Sequence, residues 1–507
     1  MSQLTRIAAA MAAMISVPAF AATAPVAIGT IYGGGATLPV SAYVGSKWLG
    51  TTNALTNRQA ITTSDKKVLN SLYPASIDSL FGQVTLTSPV GKSFNISYCA
   101  TGSSKGRAVI RGALDATGSC GQYDVSPVAI AATTPQADFA GSDAPFSVSE
   151  YNSFATAVSA RPGRVAPVQF PAIAAAIAII YNNSDLGNAK LNLTTSQLCQ
   201  IYSGQISNWS QLGYAAKPIA LVKRSDGSGT TFAFSNHISA ACPTAFPVSV
   251  NVFATESTLN TGIPVTAIGG DGNGAVVAAV LSTDGAIGYA DVADGQARAA
   301  LNGGGVLRIA TLSIKPDTPA YVEDIPQFQA DGVTPLLKNG IRVTKAVKVK
   351  AVVYKKFDPL NAKHFPASVA VTTLADQVIG ANVNGRPTMV ALVDQPGATP
   401  GCVQTVDPST YAVPALNVKG DYVQYPIVAI SYLMGYNRGN ALENGVETPL
   451  GLDKADALRR LFSAPYAISS KVKTIGKKKG FAGLTITAGP GSPAATGAGL
   501  VAACVLN

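Results

Sequence analysis

Histidine is nearly absent, with only His237 and His364 in 507 residues, and no Cys-x-x-Cys pair occurs. The ligand sets of zinc sites and two-metal hydrolases are therefore missing, because both need clustered His, Cys and carboxylate groups. Charged residues are scarce at 13%, against 47% hydrophobic ones, a balance that excludes a disordered chain and permits full cores. No apolar run reaches the ~20 residues of a membrane span; Ala172–Ile180 and Gly274–Leu281 fit buried strands or helices. A Walker A loop is excluded, since Leu86 stands where Gly91-Lys92-Ser93 would need its first Gly. Basic residues are not interleaved with aromatics, so the net charge of +10 does not indicate nucleic acid. The lysines of Ile341–Lys350 read as the guard of an exposed strand edge.

What is present begins with an address label. Arg6, the apolar run Ile7–Val17 and then Pro18-Ala19-Phe20-Ala21 predict a signal peptide over residues 1–21, cleaved near Ala21. With no Cys nearby to carry a lipid, the expectation is a soluble protein, periplasmic or secreted, acting as a monomer without stable membrane insertion. Six cysteines suit an oxidising compartment. Six allow fifteen pairings; sequential pairing, Cys99–Cys120, Cys199–Cys242 and Cys402–Cys504, is the working expectation.

Three runs share a composition: Gly33-Gly34-Gly35-Ala36-Thr37-Leu38-Pro39, Thr101-Gly102-Ser103-Ser104-Lys105-Gly106, and Arg224-Ser225-Asp226-Gly227-Ser228-Gly229-Thr230-Thr231. Each combines Gly for close backbone approach with hydroxyls, and each stands where a helical pattern begins and N–H groups lack partners. The predicted helices follow at Val40–Leu49, Ala108–Leu114 and Phe232–Ile238, and short strands precede at Asn95–Tyr98 and Ile219–Lys223. Strand, Gly-rich turn and helix in that order place ligands at the carboxyl edge of an open α/β sheet. A fourth run, Ala140-Gly141-Ser142-Asp143, adds a carboxylate. An acid is out of place beside an anion unless that anion still carries a proton, as phosphate does near pH 7 and sulfate does not. Val165–Tyr181 reads as a strand leaving one lobe, and Tyr425–Tyr432 as the return.

In these runs the chain resembles the phosphate-binding receptors of bacterial phosphate ABC transporters, and more closely their DING-type relatives. Leu198–Gly204, Trp209 and Gly285-Ala286-Ile287-Gly288-Tyr289 extend the likeness, which covers about 31–292, returns weakly at 425–465 and lapses over 310–420. The resemblance implies a two-lobe periplasmic-binding-protein type II fold with hinge strands and an inserted segment. Lobe I would comprise 22–167 and 425–507, and lobe II 168–424 with the insertion at about 310–420. It implies phosphate between the lobes, held by Thr37, Leu38 and Ser103 from one side and by Ser228, Gly229 and Thr230 from the other. Asp143 would accept the ligand's proton, Arg224 would make the charged contact, and Asp226 would hold Arg224. Cys199 and Cys242 occupy the positions of a DING-type disulfide. No cofactor or catalytic residue is implied, and an ABC permease would receive the ligand.

Other readings stay open. Gly102–Gly106 fits the G-x-S-x-G pattern of a nucleophilic Ser104, though only His237 and His364 are available as bases. A phosphatase using the same cradle, as linked with DING-like exported proteins, is the stronger rival. A secreted interaction protein that keeps the fold without transport is the third. His237 reads as a packing residue of its helix.

Overall fold

The computed structural model describes residues 27–45, 73–74, 79–89, 91–112, 137–156, 163–253, 255–256, 263–293, 295–296, 307–314, 324–326, 329, 337–338, 341–342, 344–346, 355–383, 386–393, 397–412, 424–443, 445–467, 472–476, 480–489 and 497–507. The expected signal peptide and the helix residues beyond Gly45 lie outside them.

Strands and helices alternate around one large mixed sheet, an α/β architecture. Its first wing holds β1 (Ala27–Gly35), β2 (Ser93–Ala100) and β3 (Phe139–Ser142), with β2 and β3 parallel to β1 on either side. The other wing holds β5 (Ala220–Arg224), β6 (Ile268–Gly270) and β7 (Ala286–Asp291), again mutually parallel. Between them run β4 (Val165–Tyr181) and β12 (Val428–Arg438), antiparallel to each other. β12 also pairs with β3, and the end of β4 pairs with β7. Among the described residues, these two strands carry the hydrogen-bonded ladder from one wing to the other. Both are almost entirely buried, which is why their sequences run apolar without alternation.

Val165–Tyr181 is one strand, although it contains Pro167 and Pro171. Its ladder with β12 shifts register between Ser431 and Tyr432, opposite Pro171. A bulge there absorbs the missing N–H of proline.

β2, β5 and β6 are each followed by a tight turn into a helix. After β2, helix α1 spans Ser103–Ile110, beginning earlier than its apolar pattern predicts. Gly102 makes this possible: its φ of +101° turns the chain directly into the helix. After β5, α2 spans Gly229–Ala241, and after β6, α3 spans Gly272–Ser282.

The poorly legible stretch after 310 also contributes to the sheet. β8 (Ser368–Ala375) lies parallel to β13 (Phe481–Ala488), which joins β4, and antiparallel to β11 (Gln404–Val406). A hairpin of β9 (Gln377–Val383) and β10 (Arg386–Ala391) projects between them. Ile379 packs in one apolar cluster with Ala144 of the first wing and Phe232 of α2. The helix α4 (Pro449–Ala467) and the closing helix α5 (Ala498–Cys504) complete the described chain. Disulfides join Cys199 to Cys242 and Cys402 to Cys504. Cys99 is disulfide-bonded, and its expected partner Cys120 lies outside the described residues.

Among the described residues, no helix is long and apolar enough to cross a membrane.

Candidate functional site

The register of the sheet decides where the cradle runs meet. Gly35 at the end of β1 lies level with Ala100 at the end of β2 and Gly141 near the end of β3. Thr37, Ser103 and Asp143 therefore leave the first wing from one edge. In the other wing Arg224 ends β5 level with Gly270 of β6, so the starts of α2 and α3 share an edge too.

The turns of the first wing are tied together. The amides of Thr101 and Gly102 donate to Gly35 O, and the Ala36 amide donates to Gly141 O. The Tyr98 hydroxyl donates to Ala36 O at 2.9 Å. Thr37 is buried, and its hydroxyl oxygen has no hydrogen-bond partner. Leu38 is buried in the apolar core, which fixes the backbone beside Thr37.

The two wings meet at this edge. The Ser104 amide donates to Gly227 O across the junction at 3.0 Å. A Cβ on Gly229 would lie 2.4 Å from Ser103 Oγ and 2.5 Å from Asp143 Cβ, so no other residue fits there without displacement. A Cβ on Gly102 would lie 2.6 Å from Asp226 Oδ2. Ser103 and Asp143 are thus face to face with the start of α2.

Ser228 caps α2, its oxygen accepting from the Thr231 amide at 3.1 Å. Capping uses the oxygen and leaves the hydroxyl proton available, so a structural role and a donor role coexist. The Gly229 and Thr230 amides stand at the helix start, where no intrahelical acceptor exists.

Arg224 is fully buried. Its Nε and Nη2 both donate to the two oxygens of Asp226, a bidentate pair. Asp226 also accepts from the Gly272 amide at 3.0 Å, so the start of α3 holds the carboxylate that holds the arginine. Burial disfavours the charged guanidinium, but Asp226 outweighs it and keeps the Arg224 pKa above its ordinary value.

Asp143 is the exception in an environment of donors. Burial pushes its carboxyl up to about 7, against the Ser431 and Ser103 hydroxyls and the charges of Arg224 and Arg107, which favour the ionised form. Oδ2 accepts from Ser103 Oγ, and Oδ1 has no hydrogen-bond partner.

Several neighbours of these residues lie outside the three runs. Arg107 is buried and bonded to Glu150 Oε1 at 2.9 Å and Ser142 Oγ at 2.8 Å. Tyr289 accepts from the Arg224 amide and pairs with the Thr231 hydroxyl at 2.6 Å. Asn273 accepts from Arg224 Nη1 at 2.9 Å. A signal for Asn273 exists, since Gly269-Gly270-Asp271-Gly272-Asn273-Gly274 has a Gly-rich composition like that of the three runs. Ser431 has none, being one residue of an apolar strand.

The histidines are spoken for elsewhere. His237 Nδ1 bonds Ala412 O at 2.8 Å, and His364 Nδ1 accepts from the Asp358 amide. Ser104 is approached by Arg107, not by a histidine.

A buried arginine, several hydroxyls, helix-start amides and the carboxyls of Asp143 and Asp226 thus share the edge where two wings of an α/β sheet meet. Residues 74–343 match the family model of the PBP superfamily domain, more than half of the chain, and the protein belongs to that superfamily. Curated relatives include alkaline phosphatase L of Pseudomonas aeruginosa strain PAO1, 30% identical over 234 residues, or 45% of this chain and 55% of that one. The phosphate-binding protein PstS of Xylella fastidiosa strain Temecula1 is 32% identical over 168 residues, 31% of this chain and 40% of that one. The chain spans about half the length of the curated relatives it matches. Among solved structures, a high affinity periplasmic phosphate-binding protein (PfluDING) bound with phosphate is similar, at 19% identity and a TM-score of 0.48 over 90% of each chain.

Proposed function

We propose that this protein is an exported solute-binding protein that captures inorganic phosphate between the two wings and passes it to an ABC permease. The observation that carries the reading is the meeting of Gly229 with Ser103 and Asp143, because it places the α2 amides, the Arg224 side and a carboxyl of raised pKa around one point. Thr37, Leu38 and Ser103 supply donors from the first wing; Arg224, Ser228, Gly229 and Thr230 supply them from the second. Asp226 orients Arg224, and Asp143 accepts the hydrogen bond of a ligand oxygen that still carries a proton. Fully ionised sulfate meets that acid with like charge alone, which costs several kcal/mol. The relatives named phosphate-binding protein support the ligand. In this reading lobe I is 22–167 with 425–507 and lobe II is 168–424, with β4 and β12 as hinge strands.

The test is calorimetric titration of the purified, ligand-stripped protein with phosphate, arsenate and sulfate. Tight binding of phosphate with no heat from sulfate is expected; equal binding of both anions would overturn the reading.

Phosphomonoester hydrolysis is a second reading, favoured by the relative named alkaline phosphatase L. There the same cradle holds a phosphoryl group while water attacks. Turnover of a chromogenic phosphate ester by the pure protein, lost in Arg224→Ala, decides for it. Restoration of phosphate uptake in a receptor-deficient strain separates transport from a secreted interaction role.

A further inference from the structure

We propose that Asn273 and Asp291 are positioning residues of the anion site: they set the direction of a hydrogen-bond chain that turns Arg224 and Thr230 toward the guest. The inference rests on the phosphate reading above. Neither residue belongs to the three cradle runs, and both are fully buried, Asn273 in the first turn of α3 and Asp291 at the end of β7.

Asp291 Oδ2 accepts from Asn273 Nδ2. With its NH2 given to Asp291, the amide presents its carbonyl oxygen the other way. That oxygen accepts from Arg224 Nη1 at 2.9 Å. The Thr230 hydroxyl lies 3.3 Å from the same nitrogen and 3.4 Å from Asn273 Oδ1.

The proton inventory follows from these contacts. A guanidinium has five N–H groups. Asp226 takes the one on Nε and one on Nη2; Asn273 takes one on Nη1. The second Nη1 proton faces Thr230 Oγ1, whose own O–H proton goes to Asn273 Oδ1. The second Nη2 proton is left for the guest. Were the Asn273 amide reversed, its NH2 would face the guanidinium, two donors in opposition. Arg224 would lose an acceptor, and Thr230 would no longer be held as the acceptor of Nη1. Asp291 thus fixes an amide, and the amide oxygen fixes both a guanidinium and the Thr230 hydroxyl beside it.

The experiment is calorimetric titration with inorganic phosphate of the full ligand-stripped protein, using Asp291→Asn as the leading variant because it keeps the side-chain shape. In that variant the amide of Asn273 no longer has a preferred orientation. Its affinity is expected to fall about tenfold, within the ~10–100-fold range of outer-shell partners at metal sites. Asn273→Leu, which removes the acceptor, is expected to lose more. The decisive comparison is a double-mutant cycle with Arg224→Lys, since a lysine cannot use the orienting oxygen in the same way. Positioning through Arg224 makes Asp291→Asn nearly silent in the Arg224→Lys background. Additive losses, or wild-type affinity in both Asp291→Asn and Asn273→Leu, would overturn the inference while leaving the phosphate reading intact. Failure of the wild-type protein to bind phosphate would overturn both.

Discussion

Ser103 and Asp143 hold one another through both ends: the Ser103 hydroxyl donates to Asp143 Oδ2 at 3.2 Å and accepts from the Asp143 amide at 3.1 Å. Ser103 opens α1 and Asp143 follows β3, forty positions apart, and the pair fixes which carboxylate oxygen is used. Oδ1 is left buried without a partner, free in the proposed reading to take a proton-bearing guest.

Asp143→Asn is expected to admit sulfate, because the amide donates where the ionised carboxylate only accepts. Competitive calorimetry of phosphate against sulfate reads this directly, and undiminished sulfate rejection would count against the role. The same variant has a stability signature. The folded carboxyl titrates near 7, whereas an unfolded one does so near 3.9. Between those values the folded chain holds more protons, so stability of the phosphate-free protein falls as pH rises from about 4 to 7. The melting temperature of Asp143→Asn relative to wild type should therefore climb across that window and level off above it.

His237 gives the opposite slope. Burial lowers its pKa to about 4, the bond to Ala412 O and the Arg386 charge being smaller influences. An unfolded His binds its proton near 6.5, so stability is lost as pH falls from 6.5 to 4. In His237→Asn this acid limb should flatten in urea unfolding series at successive pH values. Because Asp143 and His237 act in opposite directions over much of one window, the wild-type profile alone will look shallow.

Asp138→Ala is expected to cost about 3–5 kcal/mol, the range for breaking a buried ion pair. Burial pushes the Asp138 carboxyl up, but Lys454 at 2.8 Å, Arg164 at 2.9 Å and the Tyr32 amide hold it below its ordinary value. Removing it strands Arg164, buried against the Tyr436 ring. A lowered urea midpoint with unchanged phosphate affinity is the expected result.

Removing the Cys402–Cys504 bridge is expected to destabilise by about 2–5 kcal/mol, since it closes a loop of sequence separation 102. It anchors α5 beneath the loop before β11. Melting of the Cys402→Ser, Cys504→Ser double variant measures this, and a loss below that of the Cys199–Cys242 pair, separation 43, would contradict the loop-length argument.

The cradle runs were legible because their chemistry is local. A hydroxyl before a helix start, a glycine permitting the entry, and an Arg two residues before an Asp are all written within eight positions. The parts played by Asn273, despite its Gly-rich surroundings, and by Ser431 were not legible for the same reason. Their roles exist only through Arg224, 49 positions from Asn273, and through Asp143, reached by Ser431 along a strand from the far end of the chain. The stretch after 310 carried no motif, yet β8 and β11 extend the sheet and Arg386 donates to the Asn236 carbonyl of α2. Backbone pairing needs no particular residues, so such strands leave little trace.

By itself the sequence determined the elements, the donor-rich turns and the odd acid, because propensity, capping and burial pattern act over neighbouring residues. Only the tertiary structure decided that Gly229 abuts Ser103 and Asp143, that the α3 start holds Asp226, and that two long strands join the wings. Those choices depend on sheet register, which is set by the packing of whole faces and shifts every attached loop together.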